Sequence, residues 1–367
     1  MTQLEFSTFD LVHWPHTGRK MEGKVQSQIY EEHIKQWKLT EELGFDAIWL
    51  GEHHFTDYSM TPSPNIMLAA LARETKKVKI GNMINAFPFN DPWRLAEEFA
   101  MLDILSEGRL VIGLGRSADV QEYEKFGIPL KEGRPRYQEG LELVKKAFTE
   151  EVVHFDGEYY KMNGGSLVPR PIQQPYPTIY ATCLSPETHD WAAKEGYPIS
   201  TLFLPPDQTV QSYQTYMSAC EKYNREVDPK NYLLFRNVYV AETKEQAIEE
   251  ARVPMLKFLQ LFQNAAVPET KEMMDNFPEN FKYFSEFFAP FFGDSLTYEG
   301  LIESGIFICG DPDTVAEEIQ RQHEMIGMGH LGCWMAFGDL PHEKVMNSIQ
   351  LFGEQVMPRF KSTVLTK

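Results

Sequence analysis

Short apolar runs alternate with segments of helical period along most of the chain. The runs 4–10, 46–50, 78–82, 108–113 and 178–182 read as strands, as do a short one near Ile199 and the longer runs 232–240 and 331–337. Between them, 29–43 reads as a helix stopped by Gly44 and 65–74 as a second. A third opens at Asp91-Pro92, a carboxylate at the N-cap with proline in the first turn. Leu95, Phe99 and Leu102 form its apolar stripe; Tyr137, Leu141, Val144 and Phe148 do the same for a helix entered at Pro135. Further helices are expected from Pro186 and across 208–223. About eight strands alternating with about eight helices imply a parallel sheet with helical crossovers. In a chain of 367 residues, eight such units favour a closed (β/α)8 barrel, a TIM barrel, over an open sheet.

Two stretches break the alternation. Residues 152–177 hold Asp156-Gly157 between aromatic and β-branched residues, which suggests a hairpin followed by a proline-rich return. Residues 263–305, after the seventh strand, are long, irregular and rich in phenylalanine. Phe281, Phe284, Phe287, Phe288, Phe291 and Phe292 read as a lid over an apolar pocket or, equally, as a satellite core. No linker divides the chain, so residues 1–367 are expected to form one barrel domain carrying these two insertions.

Composition narrows the function. With 35 basic and 53 acidic residues the net charge is −18, which argues against a nucleic-acid or anionic-membrane surface. Cys183, Cys220, Cys309 and Cys333 lie far apart without CxxC spacing, which disfavours a disulfide framework or a structural zinc site. The first residues lack a basic region followed by an apolar core, and no apolar run approaches the ~20 residues that span a bilayer. The expectation is a cytoplasmic, reduced protein. The 25 Phe, 16 Tyr and 6 Trp suit a large core and an aromatic-lined cavity.

Ligands and chemistry in a parallel α/β protein sit at the C-terminal rim of the strands, and three groups fall there. Glu52-His53-His54 follows the second strand directly. His53 is the candidate acid/base or hydrogen-bond donor near neutral pH; a rim histidine bonded to a backbone carbonyl would look the same in sequence. Gly113-Leu114-Gly115-Arg116-Ser117 ends the fourth strand. It lacks the full Gly-x-Gly-x-x-Gly of a dinucleotide site but offers open backbone followed by an arginine, and Arg134 and Arg136, ahead of the next helix, offer a second cationic contact. Leu184-Ser185-Pro186-Glu187-Thr188 reads as a helix cap whose free N–H groups and two hydroxyls also suit an anion. Taken together, two hydroxyls and two arginines compose a phosphomonoester pocket.

Other features carry less. His13 and His16 follow the first strand and are within reach of a substrate; Gly310-Asp311-Pro312-Asp313-Thr314 reads as a helix cap; and Glu187 to Asp190, beside His189, reads as a solvated helix face.

The run Gly44-Phe45-Asp46-Ala47-Ile48-Trp49-Leu50-Gly51-Glu52-His53-His54-Phe55-Thr56-Asp57-Tyr58 resembles the luciferase α-subunit pattern. So do Leu105-Ser106-Glu107-Gly108-Arg109 and Gly310-Asp311-Pro312-Asp313-Thr314-Val315-Ala316-Glu317. The chain thus resembles the bacterial luciferase-like family of flavin-dependent monooxygenases over nearly its whole length, least within 263–305. The resemblance implies that His53 is the catalytic histidine beside the flavin and that Arg116 and Arg134 hold the FMN phosphate. It also assigns Leu184, Ser185 and Thr188 to the cofactor, the two hydroxyls to its phosphate. Met83 falls where the family supports the isoalloxazine ring, often with a non-proline cis peptide. One position departs: Gly115 stands where luciferase α-subunits carry a reactive cysteine, so light emission is not among the expectations.

What the resemblance implies in function is a two-component monooxygenase. Reduced FMN from a separate NAD(P)H:flavin reductase and O2 would form a C4a-peroxyflavin that oxygenates an aldehyde, ketone or similar apolar molecule. A homodimer is implied, with the segments near Asn65 and Asp91 as its face. Three other readings stand beside it: a deazaflavin-dependent oxidoreductase on the same barrel, a non-catalytic flavin-binding subunit, and a metal-dependent hydrolase using Glu52, His53 and His13.

Overall fold

The structure, a computed structural model, describes residues 4–14, 22–117, 119–202, 204–266 and 297–361. His16 and most of the phenylalanine-rich insertion, including Phe281 to Phe292, lie outside the described residues.

Eight parallel strands close into a barrel. In barrel order they are β1 (Glu5–Asp10), β2 (Ala47–Leu50), β3 (Lys79–Ala86), β4 (Leu110–Gly115), β7 (Ile179–Thr182), β8 (Ile199–Leu202), β9 (Tyr232–Val240) and β11 (His330–Trp334), which pairs back onto β1. The hairpin expected in 152–177 is present as the antiparallel pair β5 (Val153–Asp156) and β6 (Lys161–Gly165), with Gly157 in its turn. One strand was not anticipated: β10 (Phe307–Gly310) pairs with the upper half of β9, whose nine residues outrun its barrel neighbours.

The helices are α1 (Gly23–Glu42), α2 (Pro64–Glu74), α3 (Pro92–Leu105), α4 (Val120–Phe126), α5 (Gly133–Thr149), α6 (Pro186–Glu195), α7 (Pro206–Lys222), α8 (Lys244–Ala266), α9 (Tyr298–Glu303), α10 (Pro312–Ile326) and α11 (His342–Leu351). Helix α1 begins six residues before the expected start at Ile29. Helix α5 begins two residues before Pro135, so Arg134 and Arg136 are part of its first turn rather than of the loop before it. Asp91 caps α3 by accepting from Arg94 N–H, and Asp311 caps α10 by accepting from Thr314 N–H. Helix α8 carries the chain into the insertion as far as Ala266, where the sequence pattern predicted irregular structure from residue 263.

Strand alternation sorts the core into two shells. Inward residues Trp49, Met83, Val111, Leu233 and Phe235 fill the barrel with Phe9, while Ile48, Leu50, Ile80, Ile112 and Leu234 face outward to the helices. Each such large apolar side chain contributes roughly 1.5–3 kcal/mol on burial, so the shells hold the barrel without any one contact dominating. Gly113 is required where β4 crosses close to β3: a Cβ there would overlap the carbonyl oxygen of Asn82 and meet Met83 Cα at 3.1 Å. Among the described residues no helix is long and apolar enough to cross a membrane. The four cysteines are free and buried.

Candidate active site

The ends of β4 and β7 meet α5 and α6 around a cavity at the rim. It is lined by Gly115, Arg116, Arg134, Thr182, Thr188 and Trp191, with Tyr137 and Gln138. Arg134 donates to Thr188 Oγ1 at 3.1 Å and also pairs with Glu187, a carboxylate on the exposed side. Ser185 caps α6, its Oγ accepting from Thr188 N–H and lying 3.0 Å from Thr188 Oγ1. Burial holds Arg116 below the ordinary arginine range, down to about 10; nearby Tyr123 opposes the shift and the Arg134 charge adds to it. Two guanidiniums facing one cavity beside two hydroxyls and a helix N-terminus form a site where a dianion would relieve the mutual repulsion. Leu184 lies half-buried in the short link between β7 and the Ser185 cap.

Around the rim, three loops carry non-glycine residues with left-handed backbone: Val12 after β1, Phe55 after β2 and Ser117 after β4. Such conformations cost energy that the surrounding contacts must over-determine, and they gather where loops converge on a site. The β4 turn delivers Ser117, Asp119 and Glu122 against the histidines of the β2 turn. His53 Nδ1 lies 3.1 Å from Glu122 Oε1 and 2.7 Å from the Tyr58 hydroxyl. Glu122 further accepts from His54 N–H at 2.7 Å and from the Ser117 hydroxyl at 2.6 Å. Asp119 caps α4 through Gln121 N–H and Glu122 N–H.

The electrostatics follow from this geometry. Burial opposes a charged His53, but the Glu122 carboxylate outweighs it, and the His53 pKa is raised. Burial likewise opposes ionisation of Glu122, yet His53, Ser117 and His54 N–H hold its carboxyl below the usual range. Asp119, buried and facing Glu122, is pushed up to about 7. Ligand atoms of His53, Asp119 and Glu122 lie within 4.8 Å of one another. Glu122 already spends its oxygens on three donors, and the cluster can share a proton between His53 and the two carboxylates.

Glu52 points the other way. Nearly buried, it accepts from Asn85 Nδ2, Ala86 N–H and Asn90 Nδ2 at 2.7–3.1 Å and lies 3.1 Å from His54 Nε2. It thereby ties the end of β3 to the end of β2. Within that tied segment the Met83–Ile84 peptide is cis, and Met83 Sδ, on the barrel interior, accepts from Ser200 Oγ at 3.2 Å. Gly115 faces Ile84: a Cβ at 115 would overlap Ile84 Cδ1, so the isoleucine occupies the space a longer residue would need.

His53, Arg116, Arg134, Ser185, Thr188, Leu184 and Met83 thus share one rim. Arg136 does not join them. It bonds Glu132 in its own helix turn and lies over the Tyr159 ring, so the second cationic contact falls to Arg134 alone. His189 is also unlike the expectation: it is buried, with Nδ1 on the Ser185 carbonyl and Nε2 on the Ser212 hydroxyl, and only its neighbours Glu187 and Asp190 face outward. Asp119, Glu122 and Tyr58 were missed. Asp119-Val120-Gln121-Glu122 carries the Asp-x-x-Glu spacing of a capping box, the one signal that would have exposed α4 and its carboxylates.

Comparison with known proteins identifies a family and a shared fold. The family model described as luciferase-like monooxygenase matches residues 4–328. The chain is 33% identical over 236 residues to the oxygenase component of the flavin-dependent trigonelline monooxygenase of Acinetobacter baylyi, a match spanning 63% of this chain and 65% of that one. It is 25% identical over 341 residues to the alkanal monooxygenase alpha chain of Photorhabdus luminescens, covering 92% of this chain and 93% of that one. The oxygenating constituent of 3,6-diketocamphane monooxygenase from Pseudomonas putida, solved in complex with FMN, superposes with a TM-score of 0.79 at 22% identity, covering 97% of this chain and 99% of that one.

Proposed function

The chain belongs to the luciferase-like monooxygenase family, and from that premise we propose that it is the oxygenase half of a two-component system. It takes reduced FMN from a separate NAD(P)H-dependent reductase and uses O2 to oxygenate an apolar aldehyde, ketone or similar small molecule. The observation that carries this reading is the pair of guanidiniums, Arg116 and Arg134, lining one rim cavity with Thr188 beside the Ser185 cap.

The residues suit FMN at both ends. Arg116 and Arg134, unfavourable neighbours by themselves, gain from a phosphate dianion between them, and Ser185 and Thr188 add hydroxyl donors. Met83, on the barrel interior towards the end of β3, offers polarizable surface suited to a flat ring. When bound, reduced flavin would supply the electrons that activate O2. The protein's own work is binding, orientation and proton handling. Glu122 and Tyr58 hold the His53 ring at Nδ1, leaving Nε2 to give or take the proton at the mouth. The aromatic shell of Tyr58, Phe258, Phe262 and Trp334 excludes water from the same space.

The same reading takes the chain to be a homodimer. Ile66 on α2 and Met101 and Ile104 on α3 form an exposed apolar set that a second copy would cover.

The functional reading is tested by oxygen uptake with a purified flavin reductase, NADPH, FMN and a panel of aldehydes and ketones. Uptake that rises with a substrate and yields a product one oxygen richer supports it. Binding of a deazaflavin in preference to FMN, with no oxygen uptake, replaces it with hydride transfer. FMN binding without turnover across the panel replaces it with a flavin-carrying subunit.

A further inference from the structure

Among the described residues, two polar side chains at the barrel mouth carry nitrogen atoms without a hydrogen-bond partner although both are more than nine-tenths buried. His13, three residues past the end of β1, is 4% exposed and neither ring nitrogen is bonded. Asn237, on β9, is 3% exposed and its Nδ2 is unbonded. Burying such groups unpaired is costly, and a native fold that keeps them asks for another partner.

The two border the same indole. Asn237 is the register partner of Trp334, and the His13 ring lies 5.9 Å from the Trp334 ring. Asn237 falls on the face of β9 that carries Leu233 and Phe235 into the barrel interior. From His13 a run of aromatic rings leads back to the acid–base cluster: Phe258 at 5.7 Å, then Phe262, then Tyr58, whose hydroxyl bonds His53. The arginine cavity opens on the β4–β7 side of the barrel, and this pair sits on the opposite β9–β11–β1 side.

The chemistry of the pair is that of an uncharged donor site. Burial holds the His13 pKa down to about 4 against the pull of Asp10, so the imidazole is neutral at pH 7 and offers one N–H. The Asn237 carboxamide offers N–H groups and likewise brings no charge. Neutral donors satisfy a carbonyl oxygen but do not compensate the charge of a carboxylate.

We propose that His13 and Asn237 form the carbonyl-recognition element of the substrate site, donating hydrogen bonds to the uncharged carbonyl oxygen of a substrate. This rests on the reading of the mouth as an oxygenase site and adds to it a polar group and the residues that grip it. They are specificity-determining residues: they select which molecule enters and where its carbonyl lies.

The test is ligand-observed NMR binding on the full chain, with and without saturating FMN. The probes are acetophenone, its isostere α-methylstyrene, in which C=CH2 replaces C=O, and benzoate. The wild type should prefer acetophenone to α-methylstyrene by about tenfold or more, and to benzoate as well. His13→Phe and Asn237→Leu should each bring the first ratio to within about twofold of unity while α-methylstyrene affinity holds; His13→Gln, which keeps a donor, should retain the preference. Equal affinity for the isosteres in the wild type, a preference unchanged in both variants, tighter binding of benzoate, or no binding of any probe overturns the assignment. FMN affinity on the same samples separates the two claims. Wild type that binds the probes as stated but not FMN contradicts the flavin reading alone, and variants that keep FMN affinity are folded.

Discussion

The imidazole of His53 and the carboxylate of Glu122 meet at 3.1 Å across 69 residues of sequence, joining the turn after β2 to the helix after β4. The contact keeps the His53 ring in one orientation and, against the effect of burial, favours its protonated form. Glu122→Gln keeps the shape and removes the charge. The His53 pKa then falls, so the limb of the pH–rate profile that reports it should move to lower pH. We expect turnover to drop roughly 10–100-fold, less than the about 10²–10⁴-fold of a lost acid–base group because His53 itself remains, with FMN affinity kept. A profile identical to wild type would show that Glu122 does not act through His53.

Asp119 gives a pH dependence of stability rather than of turnover. Its folded pKa, pushed up to about 7 by burial and by Glu122, lies above its unfolded value. Between about pH 4 and pH 7 the folded state therefore binds more protons than the unfolded one, and stability falls as pH rises. His53, also raised, loses its stabilising contribution in the same direction at higher pH, while Glu122, lowered, acts only below the ordinary carboxylate range. Asp119→Asn retains a cap for α4 and cannot ionise. Denaturant titrations should show a flatter decline of stability between pH 4 and 7 than in wild type; an unchanged slope would assign the decline elsewhere.

Glu187 competes for the arginine that the phosphate needs. It is largely exposed and pairs with Arg134, so an incoming dianion must displace it. Glu187→Gln should tighten FMN binding several-fold at low salt, with the gain shrinking as ionic strength rises. Fluorescence titration of FMN at two salt concentrations measures both. Weaker binding would mean that Glu187 positions Arg134 rather than occupying it.

Gly115 and Gly113 differ in what an added side chain would meet. A Cβ at 115 overlaps the flexible end of Ile84, whereas one at 113 overlaps the Asn82 carbonyl oxygen. Gly115→Ala should cost about 1–3 kcal/mol by overpacking and be relieved by Ile84→Val or Ile84→Ala, while Gly113→Ala should be relieved by neither. Thermal unfolding of the single and double variants checks this; equal rescue at both positions would refute the distinction.

Much of this was legible because it is periodic. All eight barrel strands are visible as apolar runs, and the strand ends alone bring His53, Arg116 and Ser185 to one rim. Helix α4 was legible only in its Asp-x-x-Glu spacing: seven residues give too few turns for an apolar stripe, so Glu122 and Asp119 did not stand out as partners of His53. Arg136 looked equivalent to Arg134 because both precede Tyr137, yet in the first turn of α5 two residues apart they face different ways. His189 sat in a polar run but on the buried side of α6. Strand β10 is only four residues long and exists because β9 extends past its barrel neighbours, a tertiary fact with no local signal. Asn237 stood inside an apolar strand, where only the inward face of the closed barrel gives its carboxamide meaning.

The most direct test is an anaerobic titration comparing reduced FMN with reduced riboflavin, which lacks the phosphate, in wild type and Arg116→Ala. Charge-assisted hydrogen bonds of about 1.5–3 kcal/mol predict that wild type prefers FMN by at least tenfold and that the variant loses most of that preference without losing riboflavin affinity. Equal affinity of wild type for the two flavins would contradict the phosphate site, and with it the central claim that this rim is built to hold FMN.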